Sequence, residues 1–173
     1  MAKKPRNAWN DALAALARRA LTSRELRRKL RRHHDEDSVD ETLRRLVEAR
    51  YVDDDQVAYN HAFARAKAGR RGPLRVKAEL LARGVDREAA DAAVSAAYPD
   101  DELPVAVGRA AAFIDRRADS AGAERDEDGD RRPREARERT ARKLMTAGFP
   151  HSAVAAWLSR SRGAGYGEND EFP

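Results

Sequence analysis

Cysteine is absent from the 173-residue chain, so disulfides and thiolate metal sites are both excluded. Aromatic residues are scarce at 6%, which leaves Ala and Leu to supply most of the apolar surface and favours thin helical packing over one large core. Long hydrophobic runs are missing too: no window approaches the roughly 18 consecutive apolar residues of a membrane span. The start, MAKKPRNAWNDALAAL, is basic, but Asn10 and Asp11 break its apolar stretch, so it reads as a short tail entering a helix and not as a signal peptide. A soluble cytoplasmic protein is expected, and a monomer.

What the chain has in abundance is charge. Charged residues make up 38%, and 35 Lys plus Arg stand against 30 Asp plus Glu, a mild excess of +5. The basic residues are more clustered than that total suggests.

The periodicity is helical throughout. Between Gly69 and Ala97 a basic turn, Arg70-Arg71-Gly72-Pro73, opens a helix with Leu74, Ala78 and Leu81 at helical spacing and Val76 and Leu80 beside them. Gly84 ends it, Asp86 caps the next helix, and Ala89, Ala90, Ala93, Val94 and Ala97 form its apolar stripe. On the N-terminal side, Asn7 to Ala20 predicts a helix, Thr22 and Glu25 a capping box before Leu26 and Leu30, and Ser38 with Glu41 a second box before inward Val39, Leu43, Leu46 and Val47. Asp53 caps a helix to about Ala68, with Val57, Tyr59, Ala62, Phe63 and Ala66 available for packing. On the C-terminal side, Leu103 to Ala118, Arg134 to Ala147 and Ser152 to Ser159 are helical, and the charged stretch 119–133 is a flexible insertion.

Aligning the helices makes a repeat explicit. Leu30, Leu80 and Leu144 correspond; four residues on stand His34, Gly84 and Gly148; nine residues on stand Val39, Ala89 and Ala153 as the first inward positions of the following helices. An all-α protein of three tandem three-helix repeats is expected, at 7–50, 51–99 and 100–162, forming an elongated array, with 163–173 a disordered tail.

Basic clusters recur on the second helix of each repeat: Arg24, Arg27, Arg28, Lys29, Arg31 and Arg32; Arg70, Arg71, Arg75, Lys77 and Arg83; Arg131, Arg132, Arg134, Arg137, Arg139, Arg142 and Lys143. Taken singly, each cluster fits a solvated helix face paired with neighbouring carboxylates. Their threefold recurrence at matched positions favours a surface that meets phosphates or an acidic protein groove. No aromatics are interleaved, which disfavours a base-stacking platform. Arg70-Arg71-Gly72-Pro73 lacks the phosphate-loop pattern; Gly72 and Pro73 are helix-start chemistry that exposes the arginines. His33-His34-Asp35-Glu36-Asp37 reads as an exposed polar turn and not a metal site, Asp53 to Asp55 as caps, and Trp9 and Trp157 as core anchors. Gly84 between two helices suggests a helix-turn-helix, but its second helix, mostly Ala and Asp, offers little to read bases with. Nothing points to catalysis or to a cofactor.

Four segments resemble the RecX regulators of bacterial homologous recombination: SRELRRKL (23–30), LRRLVEARYVDDDQVA (43–58), RRGPLRVKAELLARGVDREAADAAV (70–94) and ARKLMTAGFPHSAV (141–154). The chain departs from that family at His34-Asp35, and at Arg50, where the family usually has Gly before the Tyr. The resemblance implies that the three repeats form an elongated, curved array. It also implies a non-enzymatic protein that docks on filaments of the RecA recombinase on DNA and dampens ATP hydrolysis and strand exchange. The contact residues expected from the repeat are Arg24, Arg27, Arg28, Arg31, Arg70, Arg71, Arg75, Lys77, Arg139, Arg142 and Lys143. A stand-alone module binding single- or double-stranded DNA through phosphates is the alternative.

Overall fold

The computed structural model describes residues 7–120 and 132–163; most of the expected insertion (121–131) and the tail beyond Gly163 lie outside the described residues. Among the described residues the secondary structure is helical, in the order α1 (Ala8–Leu16), α2 (Ser23–Leu30), α3 (Glu36–Glu48), α4 (Asp54–Ala68), α5 (Pro73–Arg83), α6 (Arg87–Ala97), α7 (Leu103–Ser120), α8 (Arg132–Thr146) and α9 (His151–Gly163). The two edges of the expected insertion are helical: Asp119 and Ser120 end α7, and Arg132 and Pro133 begin α8. The chain divides into two compact units, Met1–Phe63 with Lys77–Ala96, and Ala64–Val76 with Ala97–Pro173.

In the first unit α1, α2 and α3 pack on one another. Leu26, Leu30, Val39, Leu43 and Leu46 form their core with Ala12, Ala15, Leu21 and Val52. Trp9 covers its edge, with the Arg45 guanidinium 4.6 Å above the indole and Tyr51 edge-on at 6.2 Å. Helix α1 stops at Leu16, short of the expected Ala20. The Arg18 N–H reaches back only three residues to Ala15, tightening the chain into a turn that buries Leu21 and leaves Ala20 exposed. Thr22 makes the expected capping box with Glu25. Ser38 does not cap α3: Asp35 does, its carboxylate accepting from the Ser38 N–H at 2.9 Å. Val47 faces solvent.

That earlier cap explains a register difference. Asp35 lies five residues after Leu30, whereas Asp86, which caps α6 by accepting from the Ala89 N–H, lies six after Leu80. The buried residue is the fourth beyond the cap in both helices, Val39 in α3 and Ala90 in α6. Ala89 and Ala153, expected as inward, are only partly buried, and Ala90 and Val154 hold the interior positions.

On α5 the buried pair is Val76 and Leu80, continued by Val85 past the helix end; Leu74 is 57% exposed and Ala78 is exposed, so the inward face is rotated from the Leu74–Ala78–Leu81 stripe. On α4, Val57, Ala58 and Ala62 are buried, while Tyr59 and Phe63 stack on each other at the surface with centroids 4.2 Å apart. In the second unit α7, α8 and α9 pack mutually around Val107, Ala110, Ala111, Leu144, Phe149 and Val154. Thr140, buried on α8, donates to the Asp115 carboxylate on α7 at 2.6 Å.

Three helices end the same way. The C-terminal turns of α3, α5 and α8 carry Arg50 (φ 56°), Gly84 (φ 91°) and Gly148 (φ 92°) in the left-handed region. Each is closed by a pair of backbone bonds, Tyr51 to Leu46 with Arg50 to Val47, Val85 to Leu80 with Gly84 to Leu81, and Phe149 to Leu144 with Gly148 to Met145. Helix α2 ends differently, because His33 and His34 both donate to the Leu30 carbonyl and Asp35 immediately starts α3.

Candidate partner-binding surface

The second-helix residues expected to form a surface are held by two docking contacts of one kind, one inside each unit. In the first, the start of α2 sits on the end of α5. Thr22, fully buried, donates its hydroxyl to the Arg83 carbonyl at 2.7 Å, and the aliphatic stem of Arg24 lies on Gly84 so closely that a Cβ there would fall 2.2 Å from Arg24 Cδ. In the second, the start of α5 sits on the end of α8. The Gly72 N–H donates to Ala147 at 2.8 Å, the Leu74 N–H donates to Gly148 at 3.0 Å, and a Cβ on Gly148 would meet Arg75 Cβ at 2.4 Å. Thr22 and Gly72 thus bond to equivalent carbonyls, the one just before each helix-ending glycine. The Arg70-Arg71-Gly72-Pro73 turn therefore seats on α8 just past its last cations, Arg142 and Lys143.

The expected contact residues divide by what they touch. Arg24, Arg28, Arg75, Arg139, Arg142 and Lys143 are exposed, and none makes an ion pair among the described residues. Arg27 pairs with Asp40, Arg31 with Glu36 and Lys77 with Asp91, each a bridge to the next helix. Arg70 lies 4.5 Å over the Phe113 ring of α7, and the Arg71 carbonyl accepts from the Tyr98 hydroxyl at 2.9 Å. Arg70 and Arg71 are exposed, yet the turn that carries them is fastened at both ends.

Arg83, grouped with the surface cations from sequence, is a structural residue. Its Nε and Nη2 grip the two oxygens of Glu25 at 3.1 and 3.0 Å, and Nη2 also donates to the Ala20 carbonyl. Glu25 accepts in addition from Arg19 and from the Thr22 N–H. Burial would raise the Glu25 carboxyl, but these donors, Arg83 first, outweigh it and bring the pKa down to about 2. Asp54 contributes a tie that capping logic did not reveal: its carboxylate accepts from the Ser23 N–H, at the first residue of α2, at 2.7 Å. Asp53 caps α4 as expected, through the Gln56 N–H.

Arg18 was missed as a candidate, since it follows the last turn of α1 and belongs to no repeated helix. With Arg28, Lys29 and Arg32 it lines a cleft of 390 Å³ in the first unit. His34 corrects the exposed-turn reading of 33–37: its side chain is 7% exposed and hydrogen-bonds Asp11 at 3.0 Å, closing α1 against the α2–α3 turn. Among the described residues, no group of three or more His, Cys, Asp or Glu is placed to hold a metal ion, and no helix is long and apolar enough to cross a membrane. Arg131 lies outside the described residues, as does the side chain of Arg132.

Short helices joined by glycine-type turns, with cations on their faces that make no ion pair among the described residues, define an all-helical repeat protein. Residues 8–46 match the family profile described as "RecX, first three-helix domain" and residues 55–94 the one described as "RecX, second three-helix domain". The chain is 34% identical over 157 residues to the protein named regulatory protein RecX in Thermus thermophilus, covering 90% of this chain and 94% of that one. It is 31% identical over 159 residues to the Geobacillus kaustophilus protein of the same name, covering 91% of this chain and 55% of the relative, so it spans about half of that relative's length. Its fold matches the crystal structure of RecX from Lactobacillus salivarius with a TM-score of 0.70 at 21% identity, over 88% of this chain and 93% of that one. The chain belongs to the RecX family of regulatory proteins.

Proposed function

We propose that the chain binds the RecA recombinase filament on DNA and modulates its ATPase and strand-exchange activities without catalysing a reaction itself. The observation that carries this reading is the fastening of the basic turn of α5 onto α8. It brings Arg75 beside Gly148, shortly past the exposed Arg142 and Lys143, which make no ion pair among the described residues. Cations held on docked helix ends lose little freedom on binding, so they serve an extended anionic partner better than loose side chains do. Tandem three-helix repeats with basic helix faces suit a long filament groove better than they would a small-molecule pocket.

Titrating the protein into a DNA-dependent RecA ATPase assay tests the reading. Hydrolysis should fall with added protein, and Arg75→Glu combined with Arg142→Glu should relieve the fall. Unchanged hydrolysis and unchanged strand exchange at saturation reject it. A second reading, direct binding of DNA phosphates without recombinase, is favoured by the cleft lined by Arg18, Arg28, Lys29 and Arg32. It requires that bare DNA bind at low salt and that Arg18→Glu with Arg32→Glu abolish that binding; retention on filaments by a variant that no longer binds bare DNA separates the two.

A further inference from the structure

One groove of the first unit has the opposite character from the basic surface. Between the start of α4 and the length of α6 lies an open depression of 720 Å³. Asp53 and Asp55 border it at the start of α4 and Asp86 and Glu88 at the start of α6, and among the described residues no Lys or Arg lines it, in a chain whose cations outnumber its acids. Its floor is a run of alanines, Ala89, Ala92, Ala93 and Ala96, at the 3.6-residue period of one helix face. Tyr59, 45% exposed, stands at one wall.

We propose that this groove docks a basic amphipathic helix of a partner protein. The alanine floor carries nothing beyond Cβ, so a second helix can approach α6 at the short end of the usual 8 to 10 Å interaxial range, with its own larger apolar side chains filling the space above the alanines. Lys or Arg flanking that apolar seam would reach the carboxylates on both banks, and the Tyr59 ring offers a face to an aliphatic side chain or a cation. The carboxylates of Asp53 and Asp86 each use one oxygen to cap their own helix, which fixes them in place and leaves the second oxygen to the groove. A nucleic-acid strand is repelled here by the same four acids that attract the helix. None of the groove's residues belongs to the cations of the proposed filament contact, so the chain would meet two partners of opposite charge through different residues.

The test uses the full chain and a fluorescein-labelled 18-residue helical peptide of Leu, Ala and Lys, its leucines on one face with lysines on either side. Anisotropy should report saturable, salt-sensitive binding. Asp55→Lys combined with Glu88→Lys should weaken it about tenfold or more, as should Ala92→Trp, which fills the floor. All three positions are exposed, so the variants should stay folded. Asp55 and Glu88 stand in the first turns of α4 and α6, so their reversal should lower the melting midpoint slightly, and binding is read where circular dichroism shows each variant folded. If Ala92→Trp unfolds, the charge pair decides alone. The Arg139→Glu, Arg142→Glu variant should bind the peptide as the parent does. Absence of saturable binding, equal binding by the Lys-substituted pair, or equal binding of the peptide with Glu in place of Lys would each overturn the proposal.

Discussion

Gly72 and Gly148 meet backbone to backbone: a Cβ placed on Gly72 would lie 2.3 Å from the carbonyl carbon of Gly148 and 2.4 Å from its oxygen. The contact brings the N-terminal turn of α5 onto the left-handed turn that ends α8, and two hydrogen bonds, from Gly72 to Ala147 and from Leu74 to Gly148, depend on that approach. Gly72 itself has no need of positive φ. It is glycine because there is no room for anything else.

Gly72→Ala should therefore destabilise the chain by about 2 kcal/mol or more, since rigid backbone and not a flexible side chain must move to admit the methyl group. Gly69→Ala is the matching control. Its φ is also left-handed, but nothing lies within 4 Å of the new Cβ, so it should cost only about 1 kcal/mol of backbone strain. Urea melts of the two variants side by side check the difference; equal losses would mean that the α5–α8 contact is softer than its geometry.

Arg50 occupies, at φ 56°, a position of the kind that Gly84 and Gly148 hold in α5 and α8. Its side chain is exposed, so the strain brings no buried contact in return. Arg50→Gly should raise stability by about 0.5–1 kcal/mol, the left-handed penalty relieved less the extra freedom glycine gives the unfolded chain. A thermal melt that fails to rise would show that the arginine is held there by contacts in solution.

The helices and their order were legible because each carries its own signal: an apolar period, a capping residue and a glycine stop. The rotation of α5 was not, since Leu74, Val76, Leu80 and Leu81 cover nearly half the circumference, and only the fold decides that Val76 and Leu80 are the ones buried. The offset between Val39 and Ala90 was hidden for a different reason. His34-Asp35 replaces a glycine turn with one a residue shorter, and a fixed-spacing alignment passes over that change. Arg83 shows the same limit for the site. In sequence it is one more cation in a basic cluster, and only the fold brings Glu25, 58 residues away, into its grip.

Glu25 gives the chain a specific acid sensitivity. Its carboxyl titrates at about 2 in the fold, against 4.5 for the free group, because of Arg83, Thr22 and Arg19. The folded pKa is depressed, so its contribution is fully present above pH 4.5 and is lost as pH falls from 4.5 towards 2. Glu25→Gln should lose about 1–3 kcal/mol at pH 7 by leaving Arg83 without its carboxylate, and should flatten the decline of stability across that window. A parent and variant whose losses run parallel from about pH 5 to about pH 2.5 would place the acid sensitivity elsewhere.

The two groups of cations should separate experimentally. Among the described residues Arg75, Arg142 and Lys143 carry no ion pair, and they can be reversed to Glu at little cost to the fold, whereas Arg70 rests on Phe113 and should lose about 0.5–1 kcal/mol on substitution. If the first group meets phosphates, the triple reversal should weaken binding to DNA-bound filaments. It should also reduce the slope of log affinity against log salt by about 2 to 3, close to one for each phosphate no longer neutralised. Reversal of Lys77, which spends its charge on Asp91, should leave that slope unchanged. Anisotropy titrations on labelled DNA filaments at several salt concentrations measure both. A slope that responds to Lys77 as strongly as to Arg142 would mean that net charge, and not the docked α5–α8 surface, carries the binding.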